Sequence, residues 1–169
     1  TSIISKANLV LSAQEPGYAV FYDYSKKRFH GAYALNTQTN QWSFVKDYYI
    51  DRVFNEFRPG MAWLAAKYPQ YQEGFSNLDV TLRRYVAGDG KVVELATPFD
   101  GGAFQMFWPL IHVDETQYGN FDTALRNFLY AQAEYALQHT NPGLLSAGDN
   151  PGFGYEGKIG LPSAAEADD

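Results

Sequence analysis

Apolar residues recur at helical spacing in two stretches of the first half of the chain. The first stretch covers residues 3–11, and the Pro16-Gly17 pair is expected to end the helix that it predicts. The second covers residues 50–64, where Asp47 has the side chain of an N-cap and Pro59-Gly60 should kink or split the helix. This half of the chain therefore predicts three helical pieces.

A third amphipathic stretch predicts a long helix in the second half. Asn120 offers a capping side chain, and Asp122 lies in the first turn, where the helix dipole favours a negative charge. The apolar face begins at Phe121 and continues to Tyr135. After Pro142-Gly143 the chain becomes a loop rich in Gly and Pro, and loops of this length usually carry function or lack fixed structure.

Short β-prone runs and turn sequences lie between these helical stretches. Residues 20–22 and 29–35 predict a hairpin around the polar turn 23–27. Residues 82–95 contain a second pair of β-prone runs around Gly88-Asp89-Gly90. Without an internal repeat or a linker, the chain is expected to form one domain.

Composition narrows the class of protein. The chain has 169 residues, about the size of one domain, and 46% of them are hydrophobic, which is enough to build a core. The net charge of −6 argues against a nucleic-acid surface, because phosphate binding needs clustered Lys and Arg. No apolar run reaches the length of a membrane span, and no signal sequence is visible at the start. The absence of Cys leaves the redox compartment open.

Aromatic residues make up 17% of the chain and gather around acidic residues and Gly-rich turns, chiefly in residues 99–109 and 149–162. Pyranose rings have apolar faces that lie flat on aromatic rings, while their hydroxyl groups need carboxylates and amides. The pattern therefore indicates a sugar site. An aromatic-rich core is the alternative, and it is the commoner use of such residues. Trp42 and Trp63 are expected in the core.

Other kinds of active site find little support in the sequence. His30, His112 and His139 are far apart and lack the spacing of a metal site. Ser146 lies in no nucleophile elbow, and no Gly-rich segment carries the Lys and hydroxyl of a phosphate-binding loop. We therefore expect no metal and no cofactor.

Several phrases of the sequence follow the order and spacing of motifs found in one group of enzymes. They are YDYSKKRFHGAY at 22–33, NEFR at 55–58, GGAFQMFWP at 101–109, AQAEYA at 131–136, and the loop 143–162. Together they resemble the glucoamylase-like clan of bacterial glycoside hydrolases. The resemblance is greatest to the hydrolase-like domain of cyclic β-1,2-glucan synthases and to endo-β-1,2-glucanases.

The resemblance implies a mainly α fold. In that family the fold is a six-hairpin (α/α) toroid with short β-hairpins and long cleft-lining loops. Residues 1–169 would be a single domain or a central fragment of such a toroid, because the family extends beyond both ends. The rest of the same chain or a second subunit would then complete the toroid. Family membership also implies a periplasmic or secreted protein.

Cleavage of a glycosidic bond needs a carboxylic acid that protonates the leaving oxygen and a carboxylate that activates water or attacks carbon. The resemblance places Glu56 at a family glutamate, on the predicted helix that begins after Asp47. A solvated helical glutamate is the alternative for Glu56. Asp149 is the first choice for the second carboxylate and Glu156 the next, although Asp149 also begins a strong turn sequence. Asp100, which precedes Gly101-Gly102, has the same two interpretations.

A further set of residues in the matched phrases or directly beside them is expected to contact the sugar. Arg58 would hold a carboxylate ionised or form an ordinary ion pair. Gln105 stands where the family has Glu, so it can bond a hydroxyl but cannot donate a catalytic proton. The full set is Tyr22, Arg58, Asp100, Phe104, Gln105, Trp108, Asn150, Tyr155 and Glu156.

The sequence thus predicts a glycoside hydrolase-like protein that acts on an oligo- or polysaccharide, with a β-1,2-linked bacterial glucan suggested by the resemblance. Two alternatives stay open. The chain is either a non-catalytic glycan-binding relative, in which Gln105 reflects lost chemistry, or a subunit that completes a toroid with another chain. Activity on purified glucans separates a hydrolase from a non-catalytic glycan-binding protein. The mass of the assembly tests whether the chain is a subunit of a larger toroid.

Overall fold

A computed structural model describes residues 2–140, 143–149, 152, 154–156 and 159–164 of the chain. About 45% of the described residues are helical and 19% lie in strands. The chain divides into two compact units. The first unit comprises Thr1–Asp51 and Gly60–Leu78, and the second comprises Arg52–Pro59 and Asp79–Asp169.

The first unit combines helices with two small antiparallel sheets. Its elements are α1 (Ile3–Phe21), β1 (Tyr22–Asp23), β2 (Arg28–His30), β3 (Tyr33–Asn36), β4 (Gln41–Phe44), β5 (Tyr49–Ile50), most of α2 (Arg58–Lys67) and α3 (Gln72–Ser76). One sheet has the order β1-β2-β5, and β3 pairs with β4 in the other. The β1–β2 pairing around residues 24–27 confirms the turn of the first predicted hairpin. Its strands differ from the prediction, because Val20 and Phe21 belong to α1 and β3 belongs to the next hairpin along the chain.

Helix α1 does not end at Pro16-Gly17, so that prediction was wrong. The Ser2 side chain caps the helix by accepting from the Ser5 N–H at 3.2 Å, and the helix continues through Pro16 to Phe21. A proline in a helix interior costs about 3 kcal/mol. Packing offsets this cost, because Tyr18 and Ala19, beyond the proline, lie against the core of the first unit. That core consists of Tyr22, Phe29, Met61, Leu64 and Tyr71.

The second unit is built around one hairpin and one long helix. Its main elements are β6 (Leu82–Val86), β7 (Val92–Ala96), α4 (Ala103–Phe107), α5 (Phe121–Gln138) and the short pair β8 (Gly148–Asp149) and β9 (Tyr155–Glu156). Helix α5 packs on β7, and the core places Leu125 and Phe128 of the helix with Val93 and Leu95 of the strand. The predicted helix after Asn120 and the hairpin around residues 88–90 are therefore confirmed.

The expected (α/α) toroid is wrong, because these elements form an α+β fold with small antiparallel sheets. The prediction of a helix over residues 50–57 was wrong, although the apolar residues there have helical spacing. Ile50 instead pairs with Phe29 in a strand, and Asp47, the predicted cap, has φ 56°. The helix begins only at Arg58, with Pro59 in its first turn, where the missing N–H is not needed.

None of the helices in the described part of the chain combines the length and the apolar character required to cross a membrane.

Candidate active site

Asp100 lies in a tight turn between β7 and α4 in the second unit. Gly101 has φ 70°, a conformation that favours glycine, and the Gly102 N–H donates to Asp100 Oδ1 at 2.8 Å. A Cβ at Gly160 would lie 1.8 Å from the carbonyl oxygen of Asp100, so a side chain there would collide with the turn. The Leu161 N–H donates to Gly101 O at 2.9 Å. The turn is therefore clamped against the segment around Gly160.

The carboxyl group of Asp100 is buried, with only 7% of the residue exposed. Burial raises the pKa of Asp100, and the hydrogen bond from the Gly102 N–H opposes this effect. The negative charge of Glu56 raises the pKa of Asp100 further. The charge of Glu56 therefore acts on the buried carboxyl group of Asp100, and both this charge and burial disfavour ionisation of Asp100.

Glu56 occupies a turn and not the predicted helix. It is half-buried and lies between the buried residues Phe54 and Asn55 and the start of α2. The Asn55 side chain shapes this turn, because its Oδ1 accepts from the Phe57 N–H at 2.8 Å. Glu56 is thus presented by a short, hydrogen-bonded turn.

Arg58, which follows this turn, is 1% exposed and has all five N–H donors bonded within the protein. Its Nε and Nη2 each lie 2.6 Å from one carboxylate oxygen of Glu115. The remaining donors bind the carbonyl oxygens of Asn55, Gln105 and Met106 at 3.1, 2.7 and 2.7 Å. The ion-pairing alternative for Arg58 is the one observed, and no donor is left to bind a sugar.

The contacts of Arg58 position the candidate site. They join the turn that carries Glu56 to the backbone of α4, which carries Phe104 and Gln105. A bidentate arginine–carboxylate pair has a fixed geometry, so Glu115 in turn fixes the guanidinium of Arg58. We therefore regard Arg58 and Glu115 as positioning residues for Glu56.

Helix α4 and Trp108, the residue that follows it, present an exposed aromatic pair. Phe104 and Trp108 are stacked, with ring centroids 5.3 Å apart and planes at 26°, and they are 46% and 41% exposed. Between them in sequence, the Oε1 of Gln105 is buried without a hydrogen-bond partner among the described residues. Ser146 Oγ accepts from the Phe104 N–H at 3.1 Å and caps the helix. Exposed aromatic faces are groups on which pyranose rings stack.

Gln132 is a structural residue that the sequence analysis missed. It is fully buried on α5, and its Nε2 donates to Gly101 O at 2.9 Å and to Leu145 O at 3.3 Å. Its Oε1 accepts from the Leu145 N–H at 2.9 Å. The available signal was its position one turn after Phe128, where a polar residue interrupts the apolar face of the helix.

The remaining predicted site residues lie elsewhere. Tyr22 is buried in the core of the first unit, where its ring packs on Phe29 and Tyr71. Asp149 and Tyr155 are cross-strand partners in the β8–β9 pair, and Glu156 pairs with Gly148. Asn150 lies outside the described residues. An electrostatic interaction links Asp100 with Glu56.

The second unit also has an open cleft of about 580 Å³. Residues of β6, β7 and α5 line it, among them Leu82, Glu94 and Phe121. The Asn127 side chain crosses one side and donates to Glu94 O at 3.0 Å. The cleft is mainly apolar, and none of the predicted site residues lines it.

Neither the protein-family models nor the curated proteins give a match to this chain. The function is therefore argued from the chemistry of the site.

Proposed function

We propose that this chain is a glycoside hydrolase-like protein that cleaves a bacterial glucan with the carboxyl groups of Asp100 and Glu56. The observation that carries the proposal is a buried carboxyl group on which the charge of a second, more exposed carboxyl acts. Glycoside hydrolysis needs such a pair, one protonated and one ionised. The resemblance of the sequence phrases to the β-1,2-glucan enzymes supports a β-1,2-linked substrate.

The two carboxyl groups have different roles because their environments differ. Asp100 donates its proton to the glycosidic oxygen as that oxygen leaves the anomeric carbon. Glu56 removes a proton from the attacking water, or attacks the carbon first to form a glycosyl-enzyme that water then hydrolyses. This assignment replaces Asp149 with Asp100 as the second carboxyl group.

Helix α4 supplies the sugar contacts. The stacked rings of Phe104 and Trp108 offer a face to a pyranose ring, and the side-chain amide of the neighbouring Gln105 contacts a sugar hydroxyl. Gln105 then acts in binding and not in proton transfer, as expected from its side chain.

The test is the release of reducing ends from β-1,2-glucan, laminarin and dextran. We expect Glu56→Gln and Asp100→Asn each to lower turnover by at least about a hundredfold, because each removes one acid or base. Asp122→Asn, which changes an exposed carboxyl group of the same unit, serves as the matched control and should keep full activity. Wild-type turnover in both site variants would refute the assignment.

Glycan binding without hydrolysis is the second candidate function. The exposed Phe104–Trp108 stack favours it, because stacking needs no carboxyl chemistry. In this case the wild type binds a glucan by calorimetry and releases no reducing ends from it. Trp108→Ala should then weaken binding by about 1 to 3 kcal/mol. Unchanged affinity in that variant would remove Trp108 from the sugar site.

A further inference from the structure

The first unit carries an exposed aromatic surface on the β3–β4 hairpin. The strand register pairs Tyr33 with Phe44 and Leu35 with Trp42, so these four side chains share one face of the hairpin. Trp42 is 60% exposed and Tyr33 is 46% exposed. The prediction that Trp42 belongs to the core was therefore wrong, whereas Trp63 does pack against the core of this unit.

Two rings of this surface, those of Tyr33 and Trp42, form a stacked strip. Tyr33 and Trp42 have ring centroids 5.8 Å apart and planes only 16° from parallel. The Tyr33 hydroxyl donates to the Trp42 carbonyl oxygen at 3.3 Å, which fixes one end of the tyrosine ring. Phe44 and Phe21 contact the same ring edge-on at 5.0 and 6.4 Å. The strip is thus held in place before any ligand binds.

The hairpin that carries the strip is uncharged. Residues 31–44 contain no Asp, Glu, Lys or Arg, although 19% of the whole chain is charged. Hydroxyl and amide side chains occupy its turn, residues 37–40. The Asn36 Oδ1 accepts from the N–H groups of Gln38 and Thr39 at 2.9 and 3.2 Å, and Asn40 takes the left-handed conformation with φ 54°. This turn therefore places neutral hydrogen-bonding groups next to Leu35 and Trp42.

We propose that this hairpin face binds an uncharged oligosaccharide, with pyranose rings against Tyr33 and Trp42. Exposed aromatic rings suit the apolar faces of sugars, and neutral amides and hydroxyls suit their hydroxyl groups. An anionic ligand would need Lys or Arg, which the hairpin lacks. The proposal does not rest on hydrolysis in the second unit, because it concerns binding by different residues.

The test uses the indole N–H signals of the whole chain in NMR spectra, since the chain has three Trp residues. The Glu56→Gln variant is titrated to millimolar concentrations of β-1,2-gluco-oligosaccharides, laminari-oligosaccharides and isomalto-oligosaccharides. Trp42→Phe identifies the Trp42 signal by its loss. We expect that signal to shift saturably with at least one neutral probe, and oligogalacturonate to leave it unchanged.

Calorimetry in the Trp108→Ala background isolates the hairpin from the α4 surface. We expect Trp42→Ala to weaken binding by at least about fivefold and Trp42→Phe to keep most of the affinity, because a ring remains. A melting temperature close to that of the parent shows that both variants are folded.

The outcomes separate this proposal from hydrolysis. A Trp42 signal that no neutral probe shifts would overturn the hairpin proposal, as would a Trp42→Ala variant that keeps full affinity. If only the Trp108 signal shifts, the hairpin proposal fails while glycan binding by the second unit stands. If the Trp42 signal shifts and the wild type releases no reducing ends, binding at the hairpin stands and hydrolysis fails.

Discussion

The substitution Glu115→Gln tests how strongly the buried Arg58–Glu115 pair supports the candidate site. The variant keeps the shape of the side chain and removes its charge. Arg58 is nearly inaccessible to solvent, and both charge-assisted bonds to Glu115 measure 2.6 Å. The positive charge of Arg58 would therefore stay buried without a counter-charge.

The expected loss is large for a single substitution. Removal of one partner from a buried ion pair costs about 3 to 5 kcal/mol, since the remaining charge stays desolvated. The double variant Arg58→Met with Glu115→Leu should recover only part of this loss. Its apolar side chains remove both charges, but the carbonyl oxygens of Asn55, Gln105 and Met106 lose their donor, at about 1 kcal/mol or more each.

Urea denaturation followed by circular dichroism measures the free energy of unfolding. The control is Arg126→Ala, which removes the exposed pair with Asp122 and should cost less than about 1 kcal/mol. An unchanged m-value would show that the shift of the midpoint reports stability. A Glu115→Gln variant no less stable than Arg126→Ala would refute the view that this pair fixes the turn of Glu56.

Three further predictions concern the surroundings of Asp100. Because its pKa is raised in the folded protein, the stability that Asp100 contributes is present below its unfolded pKa and lost as pH rises through its folded pKa. Asp100→Asn should therefore remove the part of the decline in unfolding free energy with rising pH that Asp100 causes. An identical pH dependence in the wild type and the variant would contradict the raised pKa. Gln132→Leu should lose about 2 to 4 kcal/mol in urea denaturation, because backbone groups of Gly101 and Leu145 lose their partner; a loss under 1 kcal/mol would show that water replaces the amide. Gly160→Ala should lower the melting temperature because its Cβ meets backbone, whereas Gly17→Ala, with open space and a helical position, should raise it. Equal melting temperatures in these two variants would contradict the close packing at Gly160.

Local signals were sufficient where an element is specified by its own residues. Helix α5 was predicted from its apolar stripe, and it begins directly after Asn120, although the Asn120 side chain makes no capping hydrogen bond. The β6–β7 hairpin was predicted from β-prone runs around a turn that contains Gly90, whose φ is 83°. These elements would be favoured in any context, which explains why the sequence was enough.

Tertiary contacts decided the elements that were predicted wrongly. Helix α1 passes Pro16 because Tyr18 packs beyond it, and Ile50 joins a strand because Phe29 lies opposite. Contacts within the candidate site could not be predicted from the sequence for the same reason. Glu115 pairs with Arg58 across 57 positions, and no local pattern indicates that partner. Asp100 was singled out from its turn sequence, but its burial and its interaction with Glu56 are properties of the folded chain.

The most direct test of the central claim is to measure the pKa of the Asp100 carboxyl group by carbon-13 NMR, in the wild type and in Glu56→Gln. The account predicts that Asp100 titrates above the ordinary value of 3.8 and that its pKa falls when the charge of Glu56 is removed. Titration at or below 3.8 that does not respond to Glu56→Gln would contradict a coupled acid pair. The proposal of carboxyl-based hydrolysis at this site would then be withdrawn.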